Sequence, residues 1–226
     1  MTDEYDLKTE KQFNRDKLGT AIPNRLLELL EVLQCSSKND WYAALTMKIL
    51  ASVMRICGDL LSTTGQDEAL PAAAWNARNL LELWIWTEYC AASRANAQRF
   101  HDDALRDAAG LTNALSKMCE LHGLEDHGAE PRRTLEEMTF KEHGVQSIGT
   151  NYERVSAAAK KVGLDAKYAA YNSDLSKFAH PTALLVVGTM HQGEAVSALQ
   201  VICTTMGVYC AGRCVMALER MVRQVA

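Results

Sequence analysis

Apolar residues recur at intervals of three and four along most of this chain, the spacing of helix faces. After a polar, mixed-charge lead-in over residues 1–20, Leu26, Leu27, Leu30 and Leu33 mark a short helix at 24–34, introduced by Ile22 and Pro23 and broken at 36–39. Asp40 stands where its carboxylate caps the next helix, and Leu45, Ile49, Val53, Ile56 and Leu60 give that helix a core face up to residue 62. A turn around Gly65 follows. Pro71, tolerated in a first turn, opens the longest element. Neither Gly nor Pro interrupts the chain until Gly110, so a helix of nearly forty residues, roughly 58 Å long, is predicted, charged in its second half. Residues 111–121 read as a further helix stopped by Gly123.

Residues 123–149, with Gly128, Pro131, Gly144 and Gly149, are the least regular, and a surface excursion with a short acidic helix at 135–138 is expected there. Thr150 or Asn151 caps a helix reaching residue 162 and broken by Gly163. Asp165 starts the next, over 166–179, which Pro181 ends because the residue before a proline is pushed out of the α region. Residues 184–190 read as a short extended connector. The last helix, 194–225, is apolar up to Leu218 and basic at Arg220 and Arg223, which suits the negative end of its dipole. The pattern predicts an all-α fold: a bundle of about five to seven helices with long antiparallel central helices, forming one domain over residues 21–226.

Composition narrows the function classes. At 226 residues and 48% hydrophobic, the chain is long enough to bury a sizeable core. A formal charge of −4 provides no global attraction to phosphate backbones, and the pairs Arg132–Arg133 and Lys160–Lys161 are isolated. The seven cysteines include no C-x2-C pair, which suggests neither a disulfide framework nor a zinc knuckle. Cys203, Cys210 and Cys214 share a helical face and read as small buried apolar residues in a reducing cytosol. The amino terminus lacks the apolar stretch of a signal peptide. Residues 195–212 are uncharged, but Ser197, Gln200, Thr204, Thr205 and the following Arg213 favour a buried helix over a membrane span. A cytoplasmic protein is expected, self-associating through this final helix.

The run AAWNARNLLELWIWTEY at 73–89 is the place where ionisable residues sit inside a dense aromatic and leucine-rich segment. Helical geometry sets Trp75, Asn79, Glu82, Trp86 and Tyr89 in one stripe with Arg78 on its flank. Because the other sides carry Leu80, Leu81, Leu83, Trp84 and Ile85, Glu82 is expected in the interior, paired with Arg78 and shielded by Trp75, Trp86 and Tyr89. Such a group holds a cationic or amide-bearing ligand, serves acid/base chemistry through Glu82, or simply fixes helix register as an ion pair. A second candidate is YAAYNSDLSKFAH at 168–180. Ser173, Ser176, Lys177 and His180 lie on one side of that helix, with Tyr168, Tyr171, Leu175 and Phe178 on the other. His180 closes the helix, where the dipole favours its protonated form, suited to anion binding, to general acid work, or only to capping. His122, His127 and His143 lie beside Glu120, Glu125 and Glu142 without compact ligand spacing, so no metal is expected. The absence of a Walker A loop, dinucleotide fingerprint and nucleophile elbow leaves no cofactor implied.

Two short motifs carry a resemblance. A-R-N-L-L-E (Ala77 to Glu82) followed at a distance by Y-x4-S-x3-H-P (Tyr171, Ser176, His180, Pro181) resembles a family of uncharacterised bacterial helical proteins over about residues 40–190. That resemblance implies that Arg78, Glu82, Ser176 and His180 come together in the bundle, and it supplies no activity. The chain is more remotely similar to the HEPN helical bundles, many of them ribonucleases of toxin and defence systems. Arg78 and Asn79 begin the HEPN signature, but Leu83, Trp84 and Ile85 stand where its histidine would be, so His180 would have to serve from another helix. Two functions follow as expectations. One is binding of a small molecule or partner at the polar site, with Asn79, Trp75, Trp86, Tyr89, Tyr171, Ser176 and Lys177 lining it. The other is metal-independent RNA cleavage, with His180 as general acid or base and Arg78 or Lys177 on the phosphate; a weaker third is a hydrolase using Glu82 as base.

Overall fold

Helix α3, Leu70–Ala92, is the element on which the others pack. The computed structural model describes residues 15–35, 40–64, 66, 69–126, 129–130, 133–134, 137, 153–180 and 194–225. Among these, the other helices are α1 (Arg15–Gln34), α2 (Trp41–Ser62), α4 (Arg94–His122), α5 (Val155–Lys161), α6 (Asp165–Ala179) and α7 (Glu194–Arg223), and there is no strand. The all-α bundle read from the sequence is the fold. The turn at Gly65, most of the 123–149 excursion, the caps Thr150 and Asn151 and the connector 184–190 lie outside the described residues. The chain divides into two compact units, residues 1–96 with 155–226, and residues 97–154.

In the first unit, the order of contacts sets helix directions. Tyr42 at the start of α2 donates to the Cys90 carbonyl at the end of α3 (3.3 Å), so α2 and α3 are antiparallel. Along α6, Lys167 lies over Trp84 while His180 meets Trp75, again antiparallel. Along α7, Gly207 abuts Ala77, Tyr209 meets Trp84, Arg220 bonds Glu88 and Gln224 donates to the Ala91 carbonyl, an ascending series that makes α3 and α7 parallel. Small residues permit that approach: a Cβ on Gly207 would lie 3.1 Å from the Ala77 backbone and 2.4 Å from Leu60 Cδ2. Around the seam, Ala73, Ala77, Leu80, Cys210, Ala211 and Cys214 are fully buried. Burial drives the Cys203 thiol up to about 11 and Cys210 to about 12, so these cysteines are the neutral packing groups the sequence suggested. By length and composition, Val196–Arg223 could cross a membrane, but 67% of its apolar window is buried inside the protein. Of its large apolar side chains, Val201 and Ile202 are exposed; most of the strip expected to serve self-association is core.

Several boundaries differ from those the sequence predicts. Asp40 does cap α2, accepting from the Tyr42 amide at 2.9 Å. The predicted forty-residue helix, however, is two. Ser93 is extended (φ −165°, ψ 151°), its hydroxyl accepts from the Asn96 amide at 3.1 Å to cap α4, and the Asn96 side chain donates to the Tyr89 carbonyl at 3.1 Å. These bonds satisfy orphan groups at both ends of the break. Gly110 stays inside α4, which ends at Gly123 in a left-handed turn (φ 62°). Helix α1 begins at Arg15 and continues through Pro23. Its buried face is Ile22, Leu26, Leu29 and Leu33, whereas Leu27, expected in the core, is 48% exposed.

The second unit holds two buried carboxylates. Asp103 is ion-paired with Arg106 and accepts from the Glu153 amide at 3.2 Å, while Glu153 Oε2 lies 3.2 Å from Arg99 Nε. Leu111, Leu115 and Met118 form an exposed apolar row on α4.

Candidate functional site

Stripe residues 75, 78, 82 and 86 of α3 emerge on one face at successive turns, and α6 lies against that face. Helix α6 is short and polar, with Leu175 as its buried side chain, so it covers the stripe only partly. The expected burial is therefore corrected. The Arg78 and Glu82 side chains keep 24% and 30% exposure, and Trp75 is 47% exposed. The sequence misled here because leucines ring α3 on its other sides, whereas of the stripe Tyr89 alone is buried.

Within this open site, three acceptors surround one guanidinium. Arg78 Nε donates to Asn172 Oδ1 at 3.0 Å, Nη1 lies 2.5 Å from His180 Nε2, and Glu82 Oε1 is 3.5 Å from Nε. Guanidinium has no lone pair to offer, so His180 Nε2 is the acceptor and the ring proton sits on Nδ1. Ser176 Oγ donates to Asn172 Oδ1 at 3.5 Å, and the His180 ring meets Trp75 edge to face at 5.8 Å. His180 itself is extended (φ −118°, ψ 155°), as a residue before proline should be, and this turn carries its ring back toward α3. Burial raises the Tyr168 phenol above its usual range, with the Glu82 carboxylate adding to the shift and Arg78 opposing it.

Of the candidate residues, the structure thus brings Trp75, Arg78, Glu82, Ser176 and His180 together. Asn79 is half-buried on α3, and Trp86 packs on buried Tyr89 at 5.8 Å, a ring that also lies under Lys161. Trp86 and Tyr89 do not seal the site. Lys177 is exposed, and Tyr171 points to the other flank of α6, against Tyr209 at 6.5 Å. Asn172, the residue that joins the two helices, was missed by the sequence reading. Its position four residues before Ser176, on the same face, was the available signal. His122 ends α4, whereas His127 and His143 lie outside the described residues. Compared with known protein families, with curated proteins and with solved structures, the chain matches none.

Proposed function

We propose that this chain is a cytosolic binding protein whose recognition surface is the α3–α6 face around Arg78. The observation that carries the reading is the guanidinium held by Asn172 and His180, which fixes the ring of His180 beside the half-exposed ring of Trp75. The surface then offers a flat aromatic face, an imidazole Nδ1–H donor and the second oxygen of Glu82 as acceptor. These three suit a planar ligand with donor and acceptor edges, an aromatic amide or a nucleobase. Glu82 and Arg78 balance one another, so the preferred ligand is uncharged at its reading edge. Titration of tryptophan fluorescence with adenosine, uridine and nicotinamide tests this. Saturable quenching by at least one of them, abolished in Trp75→Ala and weakened in His180→Ala, is expected; flat titrations with all three refute the reading.

A second reading, metal-independent RNA cleavage in the manner of HEPN bundles, is favoured by the same Arg78–His180 contact, since a base and a phosphate clamp would stand side by side. It requires the imidazole to turn from Arg78 to free Nε2 for the 2′-hydroxyl proton. Equal, slow degradation of RNA by wild type and His180→Ala protein would end it.

A further inference from the structure

The opposite flank of α6 carries a cluster that the binding reading leaves unused. Trp84 stands nine residues after Trp75, half a turn round α3, and is 1% exposed. Two cations approach its ring: Lys167 Nζ from α6 at 5.8 Å from the centroid, and the Arg213 guanidinium from α7 at 5.5 Å. Tyr209, one turn before Arg213, meets Trp84 edge to face at 5.7 Å and bonds Lys167 Nζ through its hydroxyl at 3.2 Å. Among the described residues neither cation reaches a carboxylate. The Arg213 Nε is buried and has no hydrogen-bond partner. Glu88 is the acidic group on this side of α3, and it is engaged elsewhere, accepting from Trp84 Nε1 at 3.3 Å and from Arg220.

Lys167 is exposed and keeps its hydration, so the cost falls on half-buried Arg213: its guanidinium meets no carboxylate among the described residues, and its buried Nε–H is left unbonded. Cation–π attraction to Trp84 offsets only a part. We infer that Lys167, Tyr209 and Arg213 form a binding site for the phosphate group of a small phosphate monoester. The match is one of charge and donors. Such a group carries about −1.5 to −2 near pH 7 and three acceptor oxygens, against two cations, a phenol and the fork of N–H groups on Arg213. Acetate satisfies one cation at most.

Isothermal titration calorimetry on the full chain tests this with three probes at constant ionic strength: inorganic phosphate, ribose 5-phosphate and acetate. Saturable binding of the two phosphates but not of acetate is expected, and the tighter of the two identifies free anion or ester as the source. Arg213→Gln and Lys167→Gln should each weaken phosphate binding about tenfold or more, as loss of a charged hydrogen bond does. Lys167 is exposed, so its variant keeps the fold and the test stands even if the Arg213 variant does not. His180→Ala, which alters the α3–α6 surface, should leave phosphate binding unchanged. Absence of saturable phosphate binding by wild type up to roughly 20 mM, or wild-type affinity in both Gln variants, overturns the inference.

Discussion

The two flanks of α6 present the same kinds of residue in opposite states. On one, Arg78 is about one-quarter exposed and its charge has a partner: Glu82 beside it, with Asn172 and His180 completing the guanidinium. On the other, Trp84 is sealed, and of the two cations beside it Lys167 bonds a phenol while neither meets an anion among the described residues. Burial and neutralisation, which the sequence suggested would go together at Glu82, are separated in the fold. The balanced cluster is the accessible one, and the unbalanced cluster rests on core. An open, self-satisfied surface favours a ligand that exchanges hydrogen bonds, whereas an unbalanced one favours a ligand that brings charge.

The largest effect expected is alkaline. Burial raises Cys57 and Cys203 to about 11 and Cys90, Cys210 and the Tyr42 phenol to about 12, all above the values they take when unfolded. The folded state then holds protons that the unfolded state releases, so stability is complete below pH 9 and falls as pH rises toward 12. Circular dichroism should show cooperative unfolding within that window, and helix content unchanged at pH 12 would contradict the burial on which the α7 flank depends. Next come the two tryptophans. Trp84→Ala should cost about 4 kcal/mol in urea unfolding, while Trp75→Ala, half-exposed, should cost less than about 1 kcal/mol. Equal costs would erase the distinction between the flanks.

A smaller loss is expected at the α3–α7 seam. Gly207→Val places branched atoms against the Ala77 backbone, which cannot retreat as the Leu60 side chain can, and overpacking there should cost about 3 kcal/mol. Since that seam sets Tyr209 and Arg213 over Trp84, the substitution should impair phosphate binding and spare quenching through Trp75. Impairment of both to the same degree would mean that the two surfaces are not independent.

How far the sequence carried is clear from particular residues. Leu45, Ile49, Val53, Ile56 and Leu60 of α2 repeat strictly and all five are buried. Pro71 and Asp40 act locally, so their roles in starting helices were readable as well. The break at Ser93 was not, because a hydroxyl and an amide three residues apart in capping positions interrupt a helix without Gly or Pro, whereas Gly110 costs only about 1 kcal/mol in a helix and was passed over by the fold. The Arg78 cluster was legible since charges inside an apolar run stand out. Its exposure was not, because that depends on how little of the stripe the polar α6 covers. The Trp84 cluster drew on three helices, and no single periodicity contains Lys167, Tyr209 and Arg213 together.

Glu82→Ala gives the smallest effect and the finest test of the balanced flank. Were the carboxylate buried, its removal would strand a buried guanidinium and cost several kcal/mol, about 3 to 5 by the usual measure of broken buried pairs. With both side chains partly exposed and 3.5 Å between them, the pair is instead a surface i, i+4 contact with the basic residue first, the weaker orientation. Arg78 would retain Asn172 and His180. The expected loss is therefore below about 1 kcal/mol, and salt should shrink it further by screening. A small loss of stability together with lost quenching by the planar ligands would assign Glu82 to recognition. A loss of several kcal/mol would mean that the carboxylate supports the bundle itself, and that α6 closes over the stripe more tightly than its polar face implies.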